Sequence, residues 1–308
     1  MQVQPTNPRT ALITGTSSGF GLLTAVTLAK RGWRVIATMR DLDRRTSLED
    51  AATAASVLDR IEILPLDINN QEQIAALAAT LAARAVPLHA VVNNAGCAVA
   101  GFADDVSDAE LRQQFDTNFF AHAAVTRAVL PQLRRQGFGH IVMVSSISGR
   151  NAFPGLGSYV ASKHALEGWT ETLRLEMLPL GIHVALVEPG SFQTGIWTRG
   201  TTLSACSLEA QRWLEAKSPD TKPPQAVSLH SHFPNAARMA QLIGRVRNGK
   251  RLPDAQIVAD RIARILETPR PRLRHVVGRD ARLVLVLRAL LPWRLFERFL
   301  IKASGITK

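Results

Sequence analysis

The chain has 308 residues, of which 46% are hydrophobic, so it can bury one large core. Its two cysteines, Cys97 and Cys206, exclude a disulfide framework and favour a reducing, cytoplasmic setting. The first 200 residues hold 17 basic and 17 acidic residues, which cancel. The last 108 residues hold 20 basic and 8 acidic residues, so the whole net charge of +12 lies in this last third of the chain. No nucleic-acid motif accompanies this charge, and we expect no nucleic-acid partner.

The first predicted strand runs from Thr10 to Thr14, and the glycine-rich sequence G-T-S-S-G-F-G follows it directly. Helical periodicity then continues to Gly32. Glycines at 15, 19 and 21 would let the backbone approach a pyrophosphate, and the N–H groups at the helix start would bind it. A plain tight turn is the alternative, but the position after the first strand favours a dinucleotide site.

The second predicted strand, Trp33 to Met39, ends in Arg40 instead of a carboxylate. An acidic residue at this point binds the ribose 2′-hydroxyl in dinucleotide folds, whereas an arginine can grip a 2′-phosphate with a charge-assisted hydrogen bond. We therefore predict NADP(H) in preference to NAD(H). Because Asp41 stands beside Arg40, a solvated surface arginine remains the alternative.

Strands and helices alternate through the rest of the first 190 residues. The pattern predicts strands at Ile61 to Leu66, Leu88 to Val92, Ile141 to Val144 and Ile182 to Val187, and helices at Gln71 to Arg84 and Ser107 to Leu133. Such alternation predicts an α/β fold with a single doubly wound, Rossmann-type parallel sheet of about seven strands. Ligands bind beyond the carboxyl ends of the strands in these sheets.

The segment from Ser145 to Lys163 contains Tyr159, the only tyrosine of the chain, four residues before Lys163. On a helix this spacing puts both side chains on one face, and we expect the ammonium to lower the pKa of the phenol. Gly155, Gly157 and Ser158 are interpreted as a loop and N-cap. The pair would suit proton transfer near neutral pH, although a half-buried aromatic beside a solvated lysine is the alternative.

Taken in order, these features resemble the short-chain dehydrogenase/reductase family. The matching residues are T-G-T-S-S-G-F-G from Thr14 to Gly21, N-N-A-G from Asn93 to Gly96, Asn118, Ser146, the Y-x-x-x-K pair Tyr159 and Lys163, and Pro189-Gly190. Each motif is modest alone, but the ordered set is highly specific and covers about the first two-thirds of the chain. The resemblance implies an enzyme without a metal that interconverts alcohols and carbonyls.

The resemblance also implies a role for each matched residue. Tyr159 would exchange a proton with the substrate oxygen, and Lys163 would lower the pKa of the Tyr159 phenol. Ser146 would hydrogen-bond the substrate oxygen, and Asn118 would hold a water that relays protons. Cofactor contacts are implied for Gly15, Thr16, Ser17, Ser18, Gly19, Phe20, Gly21, Arg40, Asp67, Ile68, Asn94, Ala95, Gly96, Tyr159, Lys163, Pro189, Gly190, Phe192 and Thr194. Ser145 is the rival for the serine role, while His122 and His164 occupy unmatched positions and are interpreted as structural.

Within the family, T-S-S-G-F-G followed by A-T-M-R-D resembles the branch of 17β-hydroxysteroid and retinol dehydrogenases. We interpret residues 1–308 as one domain, with a dinucleotide-binding core at 8–190 and a substrate lid at 191–253. A lid rich in tryptophan and leucine favours a lipophilic, steroid-, retinoid- or polyketide-like substrate. A reductase of small soluble carbonyls and a non-catalytic NADP(H) sensor remain alternatives, and the family implies a homo-dimer or tetramer.

The last segment, 254–308, is predicted to hold a helix at Asp254 to Glu267, a seventh strand at Leu273 to Val277, and amphipathic helices. Residues 281–303 mix apolar side chains with five basic ones, but no run approaches the roughly 20 apolar residues that span a bilayer. These helices could cap the substrate pocket or pack across a subunit interface. Alternatively, they could make peripheral contact with an anionic membrane.

Overall fold

The computed structural model describes residues 8–84, 86–192, 201–205, 208 and 252–304. Seven parallel strands form one sheet in the order β3-β2-β1-β4-β6-β7-β9, which confirms the predicted doubly wound architecture. The strands of the described residues are β1 Thr10–Thr14, β2 Arg34–Met39, β3 Ile61–Pro65, β4 Ala90–Asn93, β5 Ala98–Ala100, β6 Gly139–Val144, β7 Ile182–Pro189, β8 Thr201–Leu203 and β9 Arg274–Val277.

Helices cover both faces of this sheet. In the described residues they are α1 Gly19–Lys30, α2 Thr46–Ala54, α3 Gln71–Ala83, α4 Asp108–Phe115, α5 Ala121–Gln136, α6 Gly157–Met177, α7 Gln256–Glu267, α8 Arg279–Leu290 and α9 Trp293–Ser304. Neighbouring residues of β1 belong to different cores: Ala11 and Ile13 face the layer with α1 and α7, and Leu12 faces the layer with α3, α5 and α6. Burial on both faces explains the unbroken apolar runs of the central strands.

The helix predicted over 107–133 is interrupted. A capping box between Ser107 and Glu110 begins α4, and a five-residue π-helical turn, Asp116–Phe120, separates α4 from α5. A π turn adds a residue to the helical repeat and so changes which side chains face the sheet. Asn118 lies in this turn and is fully buried.

One helix and a small second sheet were not predicted. Helix α2 follows β2, and the three-residue strands β5 and β8 pair in parallel to form a second, two-stranded sheet. Three residues are too few for a periodic pattern to be recognised. Most of the predicted lid lies outside the described residues.

The strand order places β1 beside β4, although two strands and three helices separate them along the chain. The direction of the chain connections reverses between these two strands, and such a point opens a crevice at the carboxyl ends of a doubly wound sheet. The glycine-rich turn after β1 and the segment after β4 therefore face each other across the same crevice.

Candidate active site

The glycine-rich turn brings two backbone segments closer together than side chains would allow. Gly15 has a φ of +71°, and a Cβ there would lie 2.7 Å from Ala95 Cα; a Cβ on Gly21 would lie 2.3 Å from Gly15 O. The following helix α1 has no acidic residue in its first turn, and Ser18 makes no side-chain capping hydrogen bond. Its first N–H groups are thus available to an anionic ligand such as a pyrophosphate.

Asn94 holds the turn from the opposite side of the crevice. Its Nδ2 donates to the carbonyl oxygens of Thr14 at 2.9 Å and Gly15 at 3.0 Å, and its backbone N donates to Thr14 Oγ1 at 3.0 Å. Thr16 is buried and its hydroxyl donates to Thr38 O at 3.1 Å, which ties the turn to β2. Asn94 and Thr16 therefore fix the shape of the phosphate-binding turn.

A cavity of about 650 Å³ extends from this turn to Tyr159. Most of the predicted cofactor residues line it, namely Gly15, Ser17, Ser18, Gly19, Phe20, Arg40, Asp67, Ile68, Asn94, Ala95, Gly96, Tyr159, Lys163, Pro189, Gly190 and Phe192. Among the predicted residues that the structure describes, Thr16, Gly21 and Asn118 do not line it, and Thr194 lies outside the described residues. The close backbone approach and the free helix amides fit a dinucleotide.

At the end of β2, Arg40 is exposed and lines the cavity. The neighbouring Asp41 also lines the cavity, but its carboxylate already has partners: its Oδ1 accepts a hydrogen bond from Asp43 N at 3.0 Å, and its Oδ2 lies 3.7 Å from Arg44 Nε. Arg44 and Ser47 also line this end of the cavity and were not predicted. Its spacing of four residues from Arg40 is the sequence signal that could have indicated Arg44 as a second basic residue at this end of the cavity.

Tyr159 lies in the first turn of α6, which begins at Gly157; Leu156 occupies the N-cap position predicted for Ser158. Lys163 follows one turn later, and both side chains are buried. Lys163 Nζ donates to Val144 O at 2.9 Å and lies 5.8 Å from the centroid of the Tyr159 ring. The structure thus brings the two predicted residues together beside the end of β6.

In the protein without a bound cofactor, burial has the largest effect on the pKa values of Tyr159 and Lys163. It raises the pKa of Tyr159 to about 12, although the Ser146 hydroxyl opposes the change, and it lowers the pKa of Lys163 to about 8. Burial therefore outweighs any acidifying effect of Lys163 in the protein without ligands, and a phenol made acidic by Lys163 beside a bound dinucleotide stays a prediction. Desolvation disfavours both charged forms, and no attraction from an ammonium at this separation outweighs it.

The two serines after β6 have different surroundings. Ser146 Oγ accepts a hydrogen bond from Ser148 N at 3.1 Å, and Ser146 acts on the acidity of Tyr159. Ser145 is buried, and its hydroxyl and the Glu167 carboxyl group both lie close to Gly149. A Cβ on Gly149 would be 2.7 Å from Ser145 Oγ and 2.9 Å from Glu167 Oε1. The geometry favours Ser146 over Ser145 as the partner of the phenol.

Asn118 sits behind the cavity wall. Its Oδ1 accepts from Cys97 N at 3.0 Å, and its Nδ2 donates to Cys97 O at 3.0 Å and to Ser162 Oγ at 3.3 Å. The amide therefore connects the segment after β4 to helix α6, and a water relay through it stays a prediction. Cys97, which lines the cavity, was not predicted, and burial raises the pKa of its thiol.

The two unmatched histidines stand apart from Tyr159. His122 is buried with Nε2 2.6 Å from Ala95 O, and burial lowers its pKa to about 3, so the ring is neutral at physiological pH. His164 is exposed, and its Nδ1 lies 2.9 Å from Val160 O, one turn earlier in α6. Neither ring lines the cavity.

A buried ionic cluster that the sequence did not predict lies on the far side of Lys163. Glu167 of α6 and Glu188 of β7 are buried, and both bind Arg274 Nη1 of β9, with Glu188 Oε1 at 2.7 Å. Arg150 Nη1 lies 3.3 Å from Glu188 Oε2. Burial raises the pKa of Glu167, and the nearby Glu188 adds to this effect. The cluster links the helix of the tyrosine to the last strand of the sheet.

Comparison with known proteins agrees with this geometry. Residues 9–202 match the family model described as short chain dehydrogenase. The chain is 40% identical over 297 residues to the uncharacterized oxidoreductase YusZ of Bacillus subtilis, covering 96% of this chain and 98% of that protein. It is 34% identical over 275 residues to human retinol dehydrogenase 8, covering 87% and 81% respectively.

Among solved structures, the fold is similar to that of a short chain dehydrogenase/reductase from Burkholderia phymatum in complex with NAD. The TM-score is 0.71 at 27% sequence identity, and the match covers 93% of this chain and 95% of that one. Because the match covers nearly all of both chains, the likeness concerns the whole architecture and not the glycine-rich turn alone.

Proposed function

This chain belongs to the short-chain dehydrogenase/reductase family of oxidoreductases, and from that premise we propose that it is an NADP(H)-dependent enzyme interconverting an alcohol and a ketone or aldehyde on a lipophilic substrate. One observation carries the proposal: Tyr159 and Lys163 are buried one helical turn apart, with Ser146 beside the phenol, in a cavity that begins at a phosphate-binding turn.

In this proposal, bound nicotinamide supplies or accepts the hydride. Tyr159 donates its proton to the substrate oxygen during reduction and takes it back during oxidation. With a pKa of about 12, the phenol holds that proton at neutral pH until an alkoxide develops beside it. Ser146 presents a hydroxyl to the same oxygen, and Lys163, with a pKa of about 8, is mainly a cation at neutral pH.

The preference for NADP(H) rests on the residues at the end of β2. Arg40 and Arg44 both line the cavity there, and each can form a charge-assisted hydrogen bond with a 2′-phosphate. Two carboxylates at this end of the cavity, Asp41 and Asp43, could repel this phosphate, but Asp41 caps the following turn and lies close to Arg44. Because a similar structure contains NAD, the preference depends on these side chains and not on the fold.

A lipophilic substrate is supported by the likeness to retinol dehydrogenase 8 and by the apolar part of the cavity wall. Val99 of β5 and Phe192 after β7 are buried and line the cavity, and the Phe192 ring packs edge-on to Phe20 with centroids 5.9 Å apart. Apolar walls with a few convergent polar groups are typical of sites for apolar ligands.

The proposal is tested by mixing the protein with NADPH and a matched panel of ketones and aldehydes that differ in chain length. We expect oxidation of NADPH, followed through the absorbance of the reduced nicotinamide, with kcat/KM rising as the substrate becomes more apolar. Turnover of short soluble carbonyls alone would exclude the lipophilic substrate. Tight NADPH binding without turnover of any panel member would favour the non-catalytic sensor.

A further inference from the structure

Helix α8 presents a stripe of apolar side chains to solvent. Leu283, Val286 and Leu290 are 56%, 51% and 76% exposed, and their spacing of three and four residues places them on one face. The opposite face holds the helix to the protein through buried Ala281 and through Arg288, whose Nη1 donates to Asn151 Oδ1 at 3.2 Å. The apolar face thus points away from the body of the fold.

Helix α9 adds a basic stripe beside it. Phe296 and Leu300 are buried on its inner face. Arg294, Arg298 and Lys302 recur every four residues on the outer face, and all three are exposed. Apolar side chains flank this stripe, including Leu295 and Ile301 at 49% and 41% exposure, and Trp293 at 59% stands where the two helices meet. We call the exposed faces of α8 and α9 the C-terminal surface.

The charge of this surface restricts its partner. Residues 281–303 hold five basic residues and one acidic residue, Glu297. A second copy of the chain using the same face across a two-fold axis would bring like charges together, which is unfavourable. A surface that is both apolar and cationic instead complements the interface of a bilayer that contains anionic lipids, where leucine and tryptophan enter the headgroup region.

We propose that the C-terminal surface docks the protein on an anionic lipid bilayer. Among the described residues no helix is long and apolar enough to cross a membrane, so the contact would be peripheral. Helix α8 begins next to the cavity, because Asp280 in its first turn accepts a hydrogen bond from Ser191 N at 2.7 Å, immediately after the cavity residue Gly190. The docking itself does not depend on the proposed reaction.

The test is flotation of the full chain with vesicles of phosphatidylcholine alone or mixed in equal parts with phosphatidylglycerol. We expect binding to the anionic vesicles only, and its loss when the salt is raised from about 0.1 M to about 1 M, where the Debye length falls from about 10 Å to about 3 Å. Each basic side chain near the surface contributes about fivefold to binding, so the variant Arg294→Gln, Arg298→Gln, Lys302→Gln should bind about a hundredfold more weakly.

A matched control removes three exposed arginines of α5 instead, with Arg127→Gln, Arg134→Gln and Arg135→Gln, and should bind nearly as well as the natural chain. For the apolar stripe, Leu283→Ser, Val286→Ser and Leu290→Ser should lower binding about tenfold or more, unlike Leu175→Ser, Leu178→Ser and Leu180→Ser, which alter exposed leucines elsewhere.

Three results would overturn the proposal. One is flotation that is equal with both kinds of vesicle. Another is equal loss of binding in the α9 and α5 variants, which would reflect net charge alone. The third is a dimer that the α8 variant dissociates, without any vesicle binding. Circular dichroism and NADPH binding of each variant identify those that fail to fold, so a loss of flotation can be separated from a loss of structure or of the proposed cofactor site.

Discussion

The dinucleotide-binding core and the C-terminal helices α8 and α9 differ in where their charged side chains lie. In the core, Lys163, Glu167 and Glu188 are buried, and the structure gives each of them a carbonyl or an ionic partner. In α8 and α9, most basic side chains are exposed and large apolar ones lie beside them. Buried charges act on one another through a poorly screened interior, whereas exposed charges act mainly on what approaches from solvent.

This difference indicates what each region can do. The core can hold a proton at a defined atom, because burial fixes the geometry and shifts the pKa values of Tyr159 and Lys163. The C-terminal helices cannot, but their surface can bind an extended partner with many weak contacts. The two regions should therefore respond differently to substitution, and the following predictions begin with the largest expected effect.

The substitution Tyr159→Phe should separate chemistry from binding in the core. We expect kcat to fall by about two to four orders of magnitude, the usual range for loss of a general acid or base, while NADPH binds as before. Steady-state kinetics and fluorescence titration of NADPH measure the two quantities. Turnover within about tenfold of the natural chain would remove Tyr159 from the proposed role.

The substitution Arg274→Met should show how much the core depends on paired buried charge. It removes the cation that Glu167 and Glu188 share, and among the described residues only Glu188 keeps another cationic partner, Arg150. Leaving a buried carboxylate unpaired in this way lowers the free energy of unfolding by about 3–5 kcal/mol. Urea unfolding measures the change. The control Arg272→Met alters an exposed arginine of the same segment and should change the free energy by about 0.5 kcal/mol or less.

The substitution Arg40→Ala tests a charge that lies at the edge of the core and faces the cavity. We expect the Kd for NADPH to rise about tenfold to a hundredfold, because a charge-assisted hydrogen bond is lost, with little change in the Kd for NADH. Isothermal titration of both cofactors gives this ratio. Arg34→Ala, at an exposed position at the start of β2, is the matched control, and equal effects of the two substitutions would contradict the assignment.

The pH dependence of ketone reduction tests Lys163. Its pKa of about 8 in the free protein means that the ammonium is present below that pH and is lost as the pH rises through it. We therefore expect kcat/KM to fall above pH about 8, while the phenol of Tyr159, with a pKa of about 12, remains protonated.

A substitution of Glu167 provides a second test of Lys163. Burial lowers the pKa of Lys163, and the Glu167 carboxylate raises it by a smaller amount. In Glu167→Gln the inflection should move to lower pH. The profile is measured as kcat/KM from about pH 6 to about pH 10. A profile without an inflection, or one that moves upward in Glu167→Gln, would show that Lys163 does not control the reaction.

The smallest effect is expected in the C-terminal helices. Leu283→Ser, at an exposed position of α8, should change the free energy of unfolding by about 0.5 kcal/mol or less. Leu186→Ala in the buried strand β7 should lower it by about 2–5 kcal/mol. Thermal or urea unfolding of the two variants compares them directly. A large loss from Leu283→Ser would mean that the apolar stripe is covered within the protein.

Local chemistry made the fold and the cofactor-binding turn predictable. Each signal involves only a short stretch of chain. The signals are glycines where two backbone segments approach closely, apolar runs that become buried strands, and a tyrosine four residues before a lysine. The α/β class and the seven-stranded sheet followed from these patterns. The π-helical turn that buries Asn118 could not be predicted, because it depends on contacts with Cys97 and Ser162 from distant segments.

The amino-acid sequence by itself determined the family, the order of the seven main strands, and the residues at the carboxyl ends of those strands. Only the tertiary structure decided that Arg274 joins Glu167 to Glu188 and that burial raises the pKa of Tyr159. The physical reason is that periodicity and turn chemistry depend on neighbouring residues. Desolvation and ion pairing instead depend on which distant segments pack together.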